Sequence, residues 1–353
     1  MTKIGSGKHM SALWSRRSVL AAAGGMAAVA AMSMPAFAQA EDWNKVVEAA
    51  KAEGTLVLYT AFVGQPSTKA VADAFTAEYG INVEILEARA SEIRERVRVE
   101  QAAGRFAADT MFTSEGQTRL YDEQDKSVDP IPSLPSTANV REDFTLDVPM
   151  APVMTIPYGI LVNTNLVPEN EIPTKWTDLA DPKWKGKILS DDPRAPGGGY
   201  AWWFATHDKI GEDFHRELSK NELVFTRDQR ESQRRVARGE YAIYIPVILT
   251  DAPGLKGLPV KAVVPEEGVP YVLYGNVLLK NAPHPNAAKL YIDFMRSPTV
   301  QKIYAELGHG VVIDGVTDTL PDDVKPIASA TLLGTSDSRR QDEMLAKAKE
   351  IYP

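Results

Sequence analysis

The sequence predicts an α/β protein of two lobes, and three observations predict it. Apolar runs of a few residues alternate with amphipathic or charged stretches between residues 55 and 121, the rhythm of strands covered by helices on both faces. That rhythm breaks over residues 126–157, which hold six prolines, and then resumes. The chain has 353 residues, 44% hydrophobic and 24% charged, enough to build two cores.

In chain order, residues 1–40 stand apart from the fold. Lys3, Lys8, Arg16 and Arg17 make a basic start, residues 18–34 are apolar and alanine-rich, and Ala36-Phe37-Ala38 and Ala38-Gln39-Ala40 offer small-residue cleavage sites. Ser15-Arg16-Arg17-Ser18-Val19-Leu20 resembles a twin-arginine export signal, which is read by a receptor. The apolar stretch is short for a membrane span, so a removed signal and a periplasmic destination are expected. The chain has no cysteine, which excludes disulfides, thiolate metal sites and cysteine nucleophiles. Taking the four basic residues of the leader from 39 leaves 35 against 47 acidic ones, a net charge of −12. That balance argues against nucleic acid or an anionic membrane as partner, while a few local arginines can still hold a small anion.

Residues 42–53 read as a surface helix stopped at Gly54, and 55–59 as a buried strand. Ser67 or Thr68 is placed to cap the next helix, with Val71, Ala74, Phe75 and Tyr79 inward and Gly80 at its end. Residues 81–86 form a second strand, 91–103 a charged helix, and 110–112 a third strand, after which Thr113 or Ser114 caps another helix. Alternation at this spacing implies a parallel sheet, and ligands bind outside the carboxyl ends of its strands. Those ends carry Thr60 and Ala61, then Arg89, then Ser114 and Glu115.

Past the proline-rich connection, residues 159–163 resume as a strand. Residues 187–204 organise the second lobe: a short strand ending at Ser190, breakers at Asp191, Asp192, Pro193 and Pro196, then Gly197, Gly198 and Gly199 leading into an aromatic helix from Tyr200. Glycines allow positive φ and close backbone approach, and the first N–H groups of a helix have no internal partner. Such a turn can hold an anion without side chains, and it can equally be a plain tight connection. Strands at 223–225, 241–247, 260–264 and 271–279 and a basic helix at 228–238 complete the lobe. Helices come next at 284–295 and after Ser297-Pro298, where the serine caps and the proline starts the helix. The expected divisions are 41–155 for the first lobe, 156–274 for the second, 275–317 returning to the first, and a helical segment over 318–353.

Several stretches of this chain resemble a known family. The phrases KWTDLADPKWKGKI and NAPHPNAAKLYIDFMRSPTVQ, with residues 55–75, 109–115 and 239–245, are similar to the solute-binding proteins of ABC importers. The branch is the one that holds ferric-ion, thiamine, phosphonate and sugar-phosphate receptors. The resemblance implies a periplasmic-binding-protein type II fold: two α/β lobes, a two-strand hinge, a ligand between them and closure about the hinge. It also implies delivery to membrane permease subunits, by a protein expected to be a monomer.

In the ferric receptors of that family, iron is held by a His, a Glu and two adjacent Tyr, with an anion completing the shell. The resemblance places the Glu on Glu115, the His near Val63-Gly64, and the tyrosine pair on Leu249-Thr250, so three of four protein ligands are missing. The anion side matches better: its helix start falls on 196–200, a second position on Gln229-Arg230, and a third, an arginine in the ferric receptors, on Tyr158. The implied ligand is a small anionic organic solute, carboxylate or phosphorylated, with an iron–anion complex as the alternative. Arg89 and Arg194 can add charge, since arginine binds carboxylate or phosphate through paired hydrogen bonds. The competing reading pairs Arg89 with Glu87 or Glu92, sets Arg194 to bracing its own turn, and leaves Arg230 on a solvated helix. Tyr200, Tyr158, Tyr244 and Tyr274 divide between core and cleft wall.

Other classes fit poorly. There is no Gly-x-Ser-x-Gly, and the five histidines have no serine or cysteine arranged with them. Gly5-Ser6-Gly7-Lys8 lacks the spacing of a nucleotide loop, histidines do not cluster as zinc ligands, and no cofactor is expected.

Overall fold

The structure is a computed structural model and describes residues 42–353; the expected leader lies outside the described residues. Helix α1 (Trp43–Glu53) leads into β1 (Thr55–Thr60), α2 (Pro66–Tyr79), β2 (Asn82–Glu87), α3 (Ala90–Ala102), β3 (Thr110–Ser114) and α4 (Glu115–Arg119). Then come β4 (Val128–Asp129) and the long β5 (Ala151–Asn163). The middle of the chain forms β6 (Ile188–Asp191), α5 (Gly198–Lys209), α6 (Glu212–Ser219), β7 (Val224–Thr226), α7 (Gln229–Ala237), β8 (Ile243–Ile248) and β9 (Val260–Val263). The last part forms β10 (Val269–Leu279), α8 (Pro285–Phe294), α9 (Pro298–Glu306), β11 (Gly310–Val311), α10 (Lys325–Ala328), β12 (Leu332–Gly334) and α11 (Gln341–Ile351).

The main sheet runs β2-β1-β3-β10-β5-β8-β6-β7. It is mixed rather than wholly parallel. β1 lies parallel to β2 and β3, and β6 to β7 and β8, as alternation predicts. Between these groups β10 runs antiparallel to β3 and β5, and β5 antiparallel to β8, because one strand leaves the first half of the sheet and the other returns to it. β5 begins at Ala151, well before the expected Gly159. Pro152 and Pro157 sit inside it, opposite Gly275 and Tyr271, and the register shifts between Tyr274 and Gly275. Proline tolerates a strand position beside such an irregularity.

Helix ends follow local chemistry, with two differences: Ser114 holds the N-cap position of α4 without a side-chain cap bond, and α2 starts without its expected cap. Gly54 and Gly80 end α1 and α2 in the left-handed region, which glycine enters without a Cβ penalty. Ser297 accepts from Val300 N–H at 3.4 Å and caps α9. Ser67 and Thr68 do not cap α2; Gln65 holds the N-cap position, Pro66 starts the helix, and both hydroxyl residues are buried in its first turn.

The two halves of the sheet have their own cores. In the first, Phe75, Tyr291 and Phe294 pack with Leu56, Leu58 and Val153. In the second, Trp176, Trp202 and Trp203 pack with Ile188 and Ile243, and Met344, Ala348, Ile351 and Tyr352 of the C-terminal segment join them. That segment is keyed in by a buried histidine: His215 Nε2 is 2.9 Å from Thr206 Oγ1, and its Nδ1 is 2.7 Å from the Tyr352 hydroxyl. The Thr206 hydroxyl donates to the Trp202 carbonyl at 2.7 Å, so it accepts from His215 Nε2–H, and the Tyr352 hydroxyl donates to Nδ1 of the neutral ring.

Burial holds the His215 imidazole well below its usual pKa, helped by His207, and burial pushes His309 down to about 4. The unfolded chain takes up protons on histidine below about pH 6.5, and the folded chain refuses them. Stability is therefore expected to fall on acidification from pH 6.5 toward pH 4. Tyr352→Phe, which leaves His215 Nδ1 without a partner, should cost about 1–2 kcal/mol at pH 7. Denaturant midpoints at pH 7 and pH 5 check both; unchanged midpoints would contradict the histidine clamp.

Candidate functional site

The site is built around the strand end at Asp191. β6 brings this carboxylate under the first turn of α5, where it is 6% exposed. Asp191 Oδ2 accepts from Gly199 N–H at 2.8 Å and from the Gln229 amide at 3.2 Å. The dipole of α5 favours negative charge at this end. The glycine-lined helix start thus does hold an anion, and the anion is the chain's own.

The three glycines serve different needs. Gly197 has φ 154° and ψ −165°, a conformation open to glycine. A Cβ on Gly198 would lie 2.5 Å from Gln229 Nε2, 3.1 Å from Asp191 Oδ2 and 3.2 Å from Tyr158 Cε1. A Cβ on Gly199 would collide with the main-chain carbonyl of Asp191. Gly198 therefore faces movable side chains, and Gly199 faces fixed backbone.

Around this point the structure gathers Tyr158, Gln229 and Asp191 with Gly198. The Tyr158 phenol is pushed up by burial first, then by neighbouring Tyr274, Asp191 and Asp251. Burial also raises the Tyr274 phenol. Both are neutral O–H donors; neither has a hydrogen-bond partner among the described residues, and neither hydroxyl is sealed from solvent. Tyr274 stands opposite Ser114 across the β10–β3 ladder, its ring packed edge-on against Phe62 at 5.1 Å. Thr60 is fully buried, and its Oγ1 accepts from Phe62 N–H at 3.1 Å, so it shapes the loop carrying Ala61 and Phe62. Thr250, just past β8, lies beside Gly308.

Arg230 starts α7 next to Gln229; it is exposed and unpaired among the described residues. Glu115 opens α4, and burial pushes its carboxyl up, partly offset by Arg119 at 3.6 Å. Arg119 also donates to Asp147 at 2.6 Å, and Asp147 accepts from Arg339 at 3.0 Å. Glu115 thus belongs to an ion chain joining α4 to the segment before α11.

Two expected residues are turned elsewhere. Arg194 donates to Asp192 at 2.9 Å and to the carbonyls of Tyr352 and Pro353, and stacks over Phe225, so it braces its turn against the C-terminus. The Tyr200 ring packs in the second core beside Phe204. Arg89 is exposed before α3, its backbone N–H donating to Glu92 at 3.2 Å. Sequence reasoning took Asp191 only for a breaker and missed Asp251, which accepts from Gln233 at 2.7 Å. A buried apolar strand closing on an aspartate just before a glycine-opened helix was the signal for Asp191.

Residues 104–328 match the family of bacterial extracellular solute-binding proteins, and the chain belongs to that family. A Haemophilus influenzae protein recorded as uncharacterized is 33% identical over 172 residues, 46% of this chain and 50% of that one. Iron uptake protein A1 of Synechocystis is 33% identical over 116 residues, 33% of this chain and 31% of that one. The chain therefore spans half or less of the curated relatives it matches. A Trichodesmium structure in complex with iron and citrate ligands superposes with a TM-score of 0.68 at 21% identity, covering 84% of this chain and 99% of that one. That likeness shows the fold.

Gly199→Ala should lower stability by about 1–3 kcal/mol, because backbone must move. Gly198→Ala should leave the melting temperature within a few degrees and weaken solute binding by displacing Gln229 from Asp191. Melting curves and calorimetry on the two variants check this; the reverse order of effects would contradict the assignment.

Proposed function

We propose that this chain is the periplasmic receptor of an ABC importer. It captures a small anionic organic solute, carboxylate or phosphorylated, between two lobes and delivers it as a monomer to membrane permease subunits. Family membership supports the receptor role. The observation that carries the ligand class is the donor set on one side of the sheet's carboxyl ends: the open hydroxyls of Tyr158 and Tyr274, the Gln229 amide and the unpaired guanidinium of Arg230. A site made of several donors with one free cation matches an oxyanion. The crossings β5 and β10 pair with each other at the middle of the sheet and serve as the hinge in this reading.

A second reading, an iron–anion complex, is favoured by the likeness to the fold of the iron- and citrate-bound Trichodesmium protein. Against it, no three of His, Cys, Asp and Glu gather as a metal-holding group among the described residues.

A thermal-shift screen of organic acids, phosphonates, sugar phosphates and ferric citrate tests the choice, since a ligand bound only to the folded state raises apparent stability. One or more of the metal-free anions should raise the melting temperature, and Arg230→Ala should weaken that anion on the order of tenfold, a modest loss because Arg230 is exposed. A shift with thiamine or polyamines alone would sink the anion reading. Binding of ferric citrate alone, lost in Glu115→Ala, would establish the second reading instead.

A further inference from the structure

Two adjacent arginines in the segment between β12 and α11 reach to different halves of the fold. Arg339 donates to Asp147 at 3.0 Å, and Arg340 donates to Asp208 of α5 at 2.9 Å. Asp147 belongs to the first half: its neighbours Leu146 and Val148 pack with Ile93 and Val97 of α3 and Met111 of β3. It also accepts from Arg119 of α4 at 2.6 Å, so one carboxylate joins α4 to the C-terminal segment. Asp208 belongs to the second half. There Arg340 lies over the Phe204 ring at 5.1 Å, the Trp203 indole donates to the Met344 carbonyl at 3.1 Å, and α11 packs in the tryptophan core. Asp337 fixes the turn between: it accepts from the Arg339 main-chain N–H at 2.9 Å and from Nη2 of its guanidinium at 2.8 Å, which leaves Nη1 to Asp147.

The two attachments differ in kind. α11 is held in the second half by a core, whereas Arg339 grips the first half through a charge pair. The side chains of Arg339 and Asp147 are 54% and 57% exposed, so the pair is weak and is screened by salt. A contact of that size adds little to the stability of the fold, yet it is enough to bias two arrangements of similar free energy. Arg119 is itself 3.6 Å from Glu115, which follows the carboxyl end of β3, and α5 starts beyond the carboxyl end of β6. The tie thus runs between helices that start at the strand ends where the solute is taken, and its attraction opposes their separation.

We infer that the Asp147–Arg339 pair is a salt-sensitive latch that limits how far the two halves open and thereby raises the affinity for the solute. The inference rests on the reading that the halves close on a solute, and it adds what regulates that closure. A receptor kept nearer its closed arrangement has a larger competent fraction, and its apparent affinity rises in proportion.

Solution scattering of the solute-free mature chain tests the latch without a solute. At about 20 mM salt wild type should have a smaller radius of gyration than Arg339→Gln, and at about 500 mM salt wild type should expand to match the variant. Asp147→Asn should behave as Arg339→Gln does, and the double variant should be no more open than either single one, because all three remove the same pair. Calorimetry with malate, citrate and glycerol 3-phosphate as probes reads the second consequence. A probe that binds wild type should bind Arg339→Gln about two- to fivefold more weakly at low salt, the range of one exposed ion pair. At saturation the two proteins should have the same radius of gyration. The wild-type salt response needs no variant, so it decides even if a variant folds poorly. A solute-free radius that is equal or smaller in Arg339→Gln, a wild type that ignores salt, or unchanged affinity in an opened variant would each overturn the latch while leaving closure on the solute intact. Probes that bind wild type without shrinking it would overturn the closure reading instead, and the solute-free comparison would still decide whether the pair restrains the halves.

Discussion

The buried carboxylate of Asp191 at the first turn of α5 is the constraint on which the site depends. A helix start carries unpaired N–H groups and partial positive charge, and a buried one must be satisfied. Here β6 ends on the residue that does so, at 2.8 Å from Gly199 N–H. For that contact α5 must lie against the strand end, so closely that position 199 has no room for a Cβ. Gln229 then reaches the same carboxylate from α7, and Tyr158 closes over it from β5. Two hydrogen bonds to one carboxylate thus tie α5 and α7 to the end of β6.

The rest of the fold holds that arrangement in place. The second core wraps the tryptophans of α5 and the preceding loop around β6 and β8, and the C-terminal helix is packed into the same core. The His215 bridge between Thr206 and Tyr352 joins the end of the chain to the body of α5. Arg194, tied to the last two carbonyls, anchors the turn just before the glycines. A residue that looked available for a ligand is thereby spent on fixing its own loop. The strands β5 and β10, by contrast, are the ones that run between the two cores, and they pair directly.

The sequence was informative where local chemistry decides. The strand–helix alternation, the glycine stops after α1 and α2 and the Ser297 cap were all readable because each depends on neighbours in the chain. The start of β5 at Ala151 was hidden because Pro152 and Pro157 read as breakers, and only the facing strand shows that Pro152 lies beside an irregular register. The extra strand β12 and the docking of α11 depend on partners far away in sequence. The same split governs the site. Gly198, Gln229 and Tyr158 were reachable through the family resemblance, and the structure sets them together. Arg194 and Tyr200 were not separable from the other candidates, because the direction of a side chain is set by what it packs against. Asp191 was in view throughout, yet a lone aspartate before a proline looks like a turn residue until the helix above it is placed.

The central claim is that the two halves of this fold close on an anionic solute about β5 and β10. Solution scattering of the mature chain, with and without a saturating anion that raises its melting temperature, measures this most directly. The account predicts a smaller radius of gyration with the solute present and unchanged secondary structure by circular dichroism. Identical scattering curves with a bound solute would contradict it.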